Sequence, residues 1–136
     1  MSQRGGSRST DCTPSEARTR RDQARAFIDV AELVLSEPAT QNETHVAAAL
    51  AVLAAIAATD AICGLTLGKY SRGQDHHQAA ALLETVDLVD RTLPMKLRRV
   101  LASKDAAHYS PRLISKADGQ VLVRQAHALV EAAERL

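Results

Sequence analysis

The stretch from Val46 to Gly68 carries one charged residue, Asp60. Nothing else in the chain restricts the fold as tightly. A run of about 20 apolar residues suits a bilayer or the centre of a helical bundle. Two properties decide for the bundle. Nine of these 23 residues are Ala, which is only weakly hydrophobic. Asp60 near a membrane centre would also cost about 2.5–3.5 kcal/mol. The segment therefore predicts the central helix of a soluble bundle and no membrane partner. Composition agrees. With one Phe, two Tyr and no Trp, the core must be built from Ala, Leu and Val, and Ala and Leu are the strongest helix formers. Six Gly and four Pro leave few turn residues for an all-β chain. At 136 residues and 46% apolar, the chain makes one domain with a real core.

Punctuation in the sequence divides the remainder. Thr13, Pro14 and Glu16 form a capping-box signature. The helix they open runs to about Glu37, with Phe27, Ile28, Ala31, Val34 and Leu35 as its apolar stripe, and Pro38 stops it. Thr40 and Glu43 repeat the signature, so a second helix spans about Asn42 to Leu67 and ends at Gly68. After the loop "GKYSRGQD", a third helix is expected from about Asp75 to Val89, turning Ala79, Leu82, Leu83 and Val86 inward. Pro94 opens a fourth, through about Tyr109, and Pro111 ends it. Ser115 with Asp118 caps a fifth, from about Lys116 to the C-terminus. Its predicted buried face is Val121, Val123, Ala126, Leu129, Val130 and Ala133, and Gly119 in its first turn is a mild cost. No segment alternates like a strand. The prediction is an all-α protein, an antiparallel bundle of four to five helices over residues 14–136, preceded by a disordered basic arm at 1–13.

Charge and cysteines narrow the chemistry. A net charge of +1 predicts no strongly charged partner. Residues 1–25 nevertheless hold six Arg against three acids, a run that either contacts phosphates or stays solvated. Cys12 lies in the polar arm and Cys63 in the apolar helix, which predicts no disulfide but reduced thiols in a cytoplasmic protein. The first fifteen residues contain no apolar signal-peptide region.

Three groups of polar residues interrupt apolar stripes. Asp60 shares a face with Val46, Leu50, Leu53, Ala57, Gly64 and Leu67. A carboxylate there needs a partner on another helix, whether as a structural ion pair or as a site carboxylate. Lys104 and His108 continue the stripe of Leu93, Leu97, Val100 and Leu101, with Tyr109 beside them. They are either a snorkelling Lys and a His stabilised by a helix C-terminus, or a site. Arg72, Asp75, His76 and His77 crowd the start of the third helix, which reads as ordinary capping or as an anion site. Adjacent histidines diverge by about 100° on a helix and so do not chelate together. No further ligands have zinc spacing, and no metal or other cofactor is expected. Nucleophile elbows, phosphate loops, dinucleotide fingerprints and the His-Glu-x-x-His motif are all absent from the sequence. Scarce aromatics leave no base-stacking surface.

The blocks "AAIAATDAICGLTLGKYSRGQDHHQAAALL", "LRRVLASKDAAHYSP" and "VRQAHALVEAAERL" together resemble the HEPN superfamily of helical domains, specifically its small actinobacterial members. The resemblance covers about Phe27 to Leu136. It implies a bundle of four to five helices, a homodimer, and a role in a toxin–antitoxin or defence-type system. Implied partners are RNA or a nucleotide and a cognate antitoxin or nucleotidyltransferase. In catalytic relatives an Arg, four to six residues and a His make a ribonuclease site. No Arg holds that position ahead of His108, where Lys104 is the nearest cation. The missing Arg points to a non-catalytic or divergent module, and the stripes and helix start give Asp60, Arg72, Asp75, His76 and Tyr109 as candidate ligand-binding residues. The alternatives are a metal-independent ribonuclease using His108, with Lys104 stabilising the phosphorane charge, and a purely structural bundle.

Overall fold

The computed structural model describes residues 9–72, 76–108, 111 and 113–136, except for the side chains of His76 and Asp105. Asp75 and Tyr109, two of the candidate site residues, lie outside that set. Six helices are present among the described residues: α1 (Pro14–Ser36), α2 (Gln41–Leu67), α3 (His76–Glu84), α4 (Leu93–Ala102), α5 (Lys104–His108) and α6 (Lys116–Glu134). Two short strands, β1 (Ser9–Asp11) and β2 (Lys69–Ser71), complete the described elements.

The long helices start where their caps dictate. Thr13 Oγ1 accepts from Glu16 N at 3.1 Å, and Glu16 Oε1 accepts from Thr13 N at 2.9 Å. Thr40 and Glu43 make the same pair of bonds at the same lengths. Each box satisfies two backbone donors that the helix itself leaves orphaned. At α6, Asp118 N donates to Ser115 Oγ at 3.1 Å. The return bond that Glu makes in the other two boxes is absent here among the described residues, because Asp is one methylene shorter. Gly68 ends α2 with φ +71°, a left-handed conformation suited to Gly, and its N–H donates to Gly64 O at 3.2 Å.

α2 is the central element and touches all five other helices. Ala47, Ala48, Ala51, Ala54, Ala55 and Ala58 are fully buried on it, and such small side chains let neighbouring helices approach closely. Ile28, Ile62, Leu83, Leu97 and Leu129 fill the space between the backbones. α2 is long and apolar enough to cross a membrane, but 67% of its most apolar window is buried inside the bundle. Gly119 explains itself in this packing. A Cβ there would lie 2.8 Å from Thr44 Cγ2, so its absence lets α6 meet the start of α2.

Four expectations need correction. The arm does not remain unstructured as far as Thr13. β1 pairs antiparallel with β2 in the register Ser9↔Ser71, Thr10↔Tyr70 and Asp11↔Lys69, and Cys12 N donates to Gly68 O at 2.9 Å. Cys12 is buried, its Sγ occupying space over Gly64 where a Cβ would come within 2.6 Å. The third helix stops at Glu84 and not at Val89. Thr85 N and Val86 N bond the third carbonyl back, at Leu82 and Leu83, and two β-branched residues disfavour another α-turn. The expected fourth helix breaks at Ser103, which sits at φ −95°, ψ 2° and donates to Val100 O at 3.1 Å. Finally, Val121 on α6 is 37% exposed and Leu122 takes its predicted place in the core.

Candidate functional site

Lys104 and His108 sit on α5, one short turn that packs against α2. Because the helix breaks at Ser103, they do not extend the Leu93–Leu97 stripe as one straight face. They are half-buried instead. His45, on the second turn of α2, comes close enough to His108 for its charge to act on that ring. His45 Nδ1 accepts a hydrogen bond from Ile114 N at 3.3 Å, which requires that nitrogen to be unprotonated and leaves Nε2 as the donor. His108 is held below the ordinary imidazole range, by burial first, then by the Lys104 charge and by His45. Near neutral pH its ring is therefore uncharged and can accept a proton or a hydrogen bond. An ammonium and two imidazoles brought together from two helices suit a phosphate or another oxyanion.

Asp60 belongs to a different place. Along α2 it lies about 22 Å from His45, at 1.5 Å per residue. Its Oδ2 accepts from Arg20 Nη2 at 3.0 Å and Nε at 3.2 Å, and Arg20 Nη1 donates to Gln23 Oε1 at 2.7 Å. The Asp60 side chain is 13% exposed. Burial pushes its carboxyl up to about 6, and Arg20 opposes that shift only in part. The Asp60 charge contributes in turn to the neighbouring thiols. Cys63 is pushed up to about 12, chiefly by burial, and Cys12 is raised for the same first reason. Both cysteines are free thiols, and as buried thiols with raised pKa they are poor nucleophiles. Asp60 therefore orients neither His108 nor Lys104; it ties α2 to α1.

Arg72 and His77 form the third group. Arg72 directly follows β2 and is exposed, and His77 is exposed in the first turn of α3. Asp75 and the His76 side chain fall outside the described residues. Among the described residues no cluster of three or more His, Cys, Asp or Glu could hold a metal ion. The closing segment contributes packing. Arg25 on α1 donates to Glu134 at 2.8 Å and Asp29 at 3.0 Å, while His127 Nδ1 lies 2.8 Å from Glu32 and its Nε2 lies 3.1 Å from Glu131.

Two of the surface grooves have none of these side chains in their lining. One lies between α3 and α4, lined by Leu88, Pro94 and Met95, and Arg98 on its wall is already held by Glu84 at 2.9 and 3.0 Å. Another, lined by Arg99, Ser103, Ala106 and Ile114, runs on the side of α5 away from Lys104 and His108, since Ala106 is about 200° around the helix from each.

Sequence reasoning placed Lys104 and His108 together but missed His45 and Arg20, which reach their partners only through the tertiary fold. It also missed a local signal. Counting from Arg72, four residues intervene before His77, the Arg–His interval of the resembled family. No known family model, curated protein or solved structure matches the chain.

Proposed function

We propose that this chain is a HEPN-like helical domain that binds RNA or a nucleotide through phosphate contacts at Lys104, His108 and His45. The observation that carries this reading is the convergence of those three nitrogen-bearing side chains from α5 and α2. His108 is kept neutral, so it does not add a second charge while Lys104 faces the phosphate. The domain would act in a toxin–antitoxin or defence-type system, together with a cognate antitoxin or nucleotidyltransferase. Binding of a labelled single-stranded RNA, compared between wild type and Lys104→Ala, tests the site. Equal binding by both proteins sinks it.

A second reading, a metal-independent ribonuclease, is favoured by the four-residue interval between Arg72 and His77, both exposed. Here His77 would exchange the proton of the attacking 2′-hydroxyl, and Arg72 would stabilise the charge on the phosphorane. This moves the catalytic histidine from His108 to His77. RNA cleavage in EDTA should disappear in His77→Ala and persist in His108→Ala. The opposite pattern would restore His108, and no cleavage by wild type would leave binding alone.

A further inference from the structure

We infer that the groove between α4–α5 and α6 is a binding site for a free α-amino acid with a large apolar side chain. One wall carries Arg99 on α4, Ser103 at its C-terminal end and Ala106 on α5. The other carries Asp118, Val121 and Leu122, which share a face of α6 by their spacing of three and four. The groove holds about 450 Å³, inside the range of small-molecule sites. A helix about 10 Å across would fill it with a single turn, so its size favours a small ligand over a docked helix. Leu113 and Val121 in its lining are left 39% and 37% exposed, apolar surface that a ligand can cover.

The state of its charges sets this groove apart. In the groove between α3 and α4, Arg98 is held by Glu84, and Arg91 lies 3.9 Å from Asp87. A third groove, beside the turn between α1 and α2, is lined by Glu37 and Glu43 with no base, and Glu43 already bonds the Thr40 cap. Between α4 and α6, Arg99 and Asp118 are both exposed. Among the described residues neither side chain has a hydrogen bond or an ion pair, with the other or elsewhere. A base and an acid thus stand on opposite walls with apolar surface between them.

A zwitterion answers both charges. Its carboxylate takes the Arg99 guanidinium, with the Ser103 hydroxyl one turn along as a further donor, and its ammonium takes the Asp118 carboxylate. An α-amino acid carries the two charges on one carbon, and a leucine- or phenylalanine-sized side chain covers Leu113 and Val121. A fatty acid would leave Asp118 unmatched. A nucleotide would set its phosphates against that same acid.

The inference does not rest on the RNA reading, because the groove lies on the far side of α5 from Lys104 and His108 and amino-acid binding is measured without RNA. Isothermal titration calorimetry of the full chain with millimolar L-leucine or L-phenylalanine should show saturable binding. Arg99→Ala and Asp118→Asn should each weaken it at least about threefold, as befits charge-assisted contacts that stay partly hydrated, with unchanged far-ultraviolet circular dichroism. Either variant suffices provided it is folded. N-acetyl-leucine lacks the ammonium and leucinamide lacks the carboxylate, so both should bind more weakly than leucine, and glycine should not bind. Glu37→Gln, in the groove beside the turn between α1 and α2, should bind leucine as wild type does. A wild type that binds neither leucine nor phenylalanine overturns the inference. So does leucine binding that survives both groove substitutions, or N-acetyl-leucine that binds as tightly as leucine. An apolar peptide with blocked ends that binds where leucine does not would assign the groove to a protein segment and also overturn it.

Discussion

Asp60→Asn should stabilise the protein at neutral pH and have little effect in acid. The folded carboxyl titrates at about 6 against an ordinary value of 3.8. Between those values the native state holds a proton that the unfolded chain has released. Stability therefore falls as pH rises from about 4 to about 6, and the full penalty stands above 6. A gap of about 2 between the two values, at about 1.4 kcal/mol each, amounts to about 3 kcal/mol. Asn keeps the shape and removes the charge, so it escapes the penalty. Arg20, with its side chain 31% exposed, turns to solvent when its partner is neutral. Urea unfolding followed by circular dichroism at pH 4 and pH 7.5 reads both proteins. The variant's advantage should grow by about 3 kcal/mol between the two conditions. An advantage that is the same at both, or a wild type that gains on the variant as pH rises, would refute the view that burial outweighs the Arg20 pair.

Three further outcomes follow from packing and capping. Gly119→Ala should cost about 1–3 kcal/mol, because the new Cβ meets Thr44 Cγ2 at 2.8 Å, and adding Thr44→Ser should recover most of it in thermal melts. Thr40→Ala removes the acceptor for Glu43 N and should lower stability by about 1 kcal/mol in urea titrations. Arg25→Ala should cost no more than about 1 kcal/mol despite its bonds to Glu134 and Asp29, since the side chain remains 33% exposed and both partners stay hydrated, and the difference should shrink in high salt.

What the sequence made legible was local. Thr13, Thr40 and Ser115 act on backbone donors three residues away, so their helix starts could be read directly. Gly68 could be read as a stop because its positive φ is a property of one residue. The β1–β2 pair could not, since three-residue strands are too short to alternate and their partners are some 60 positions apart. Breaks at Thr85 and Ser103 also escaped, because neither is a Gly or Pro and the turn tightens only in context. At Val121 the pattern failed by one position, as either it or Leu122 satisfies a helical stripe and only the angle of α6 against α2 selects Leu122. The site divides in the same way. Lys104 and His108, four apart, were visible, whereas His45 reaches them across 63 residues, and the partner expected for Asp60 is Arg20 on α1. The Arg72–His77 interval is readable in the sequence alone, since it needs only a count of four intervening residues.

The measurement that bears most directly on the proposed function is fluorescence anisotropy of a labelled single-stranded RNA titrated with wild type and with Lys104→Ala at low salt. Wild type should bind, with affinity that falls as salt rises. Lys104→Ala should bind at least about tenfold more weakly, the loss expected for one charge-assisted phosphate contact, while melting at the same temperature. A wild type that does not bind RNA, or a variant that binds as tightly, would contradict the placement of an RNA site at Lys104 and His108.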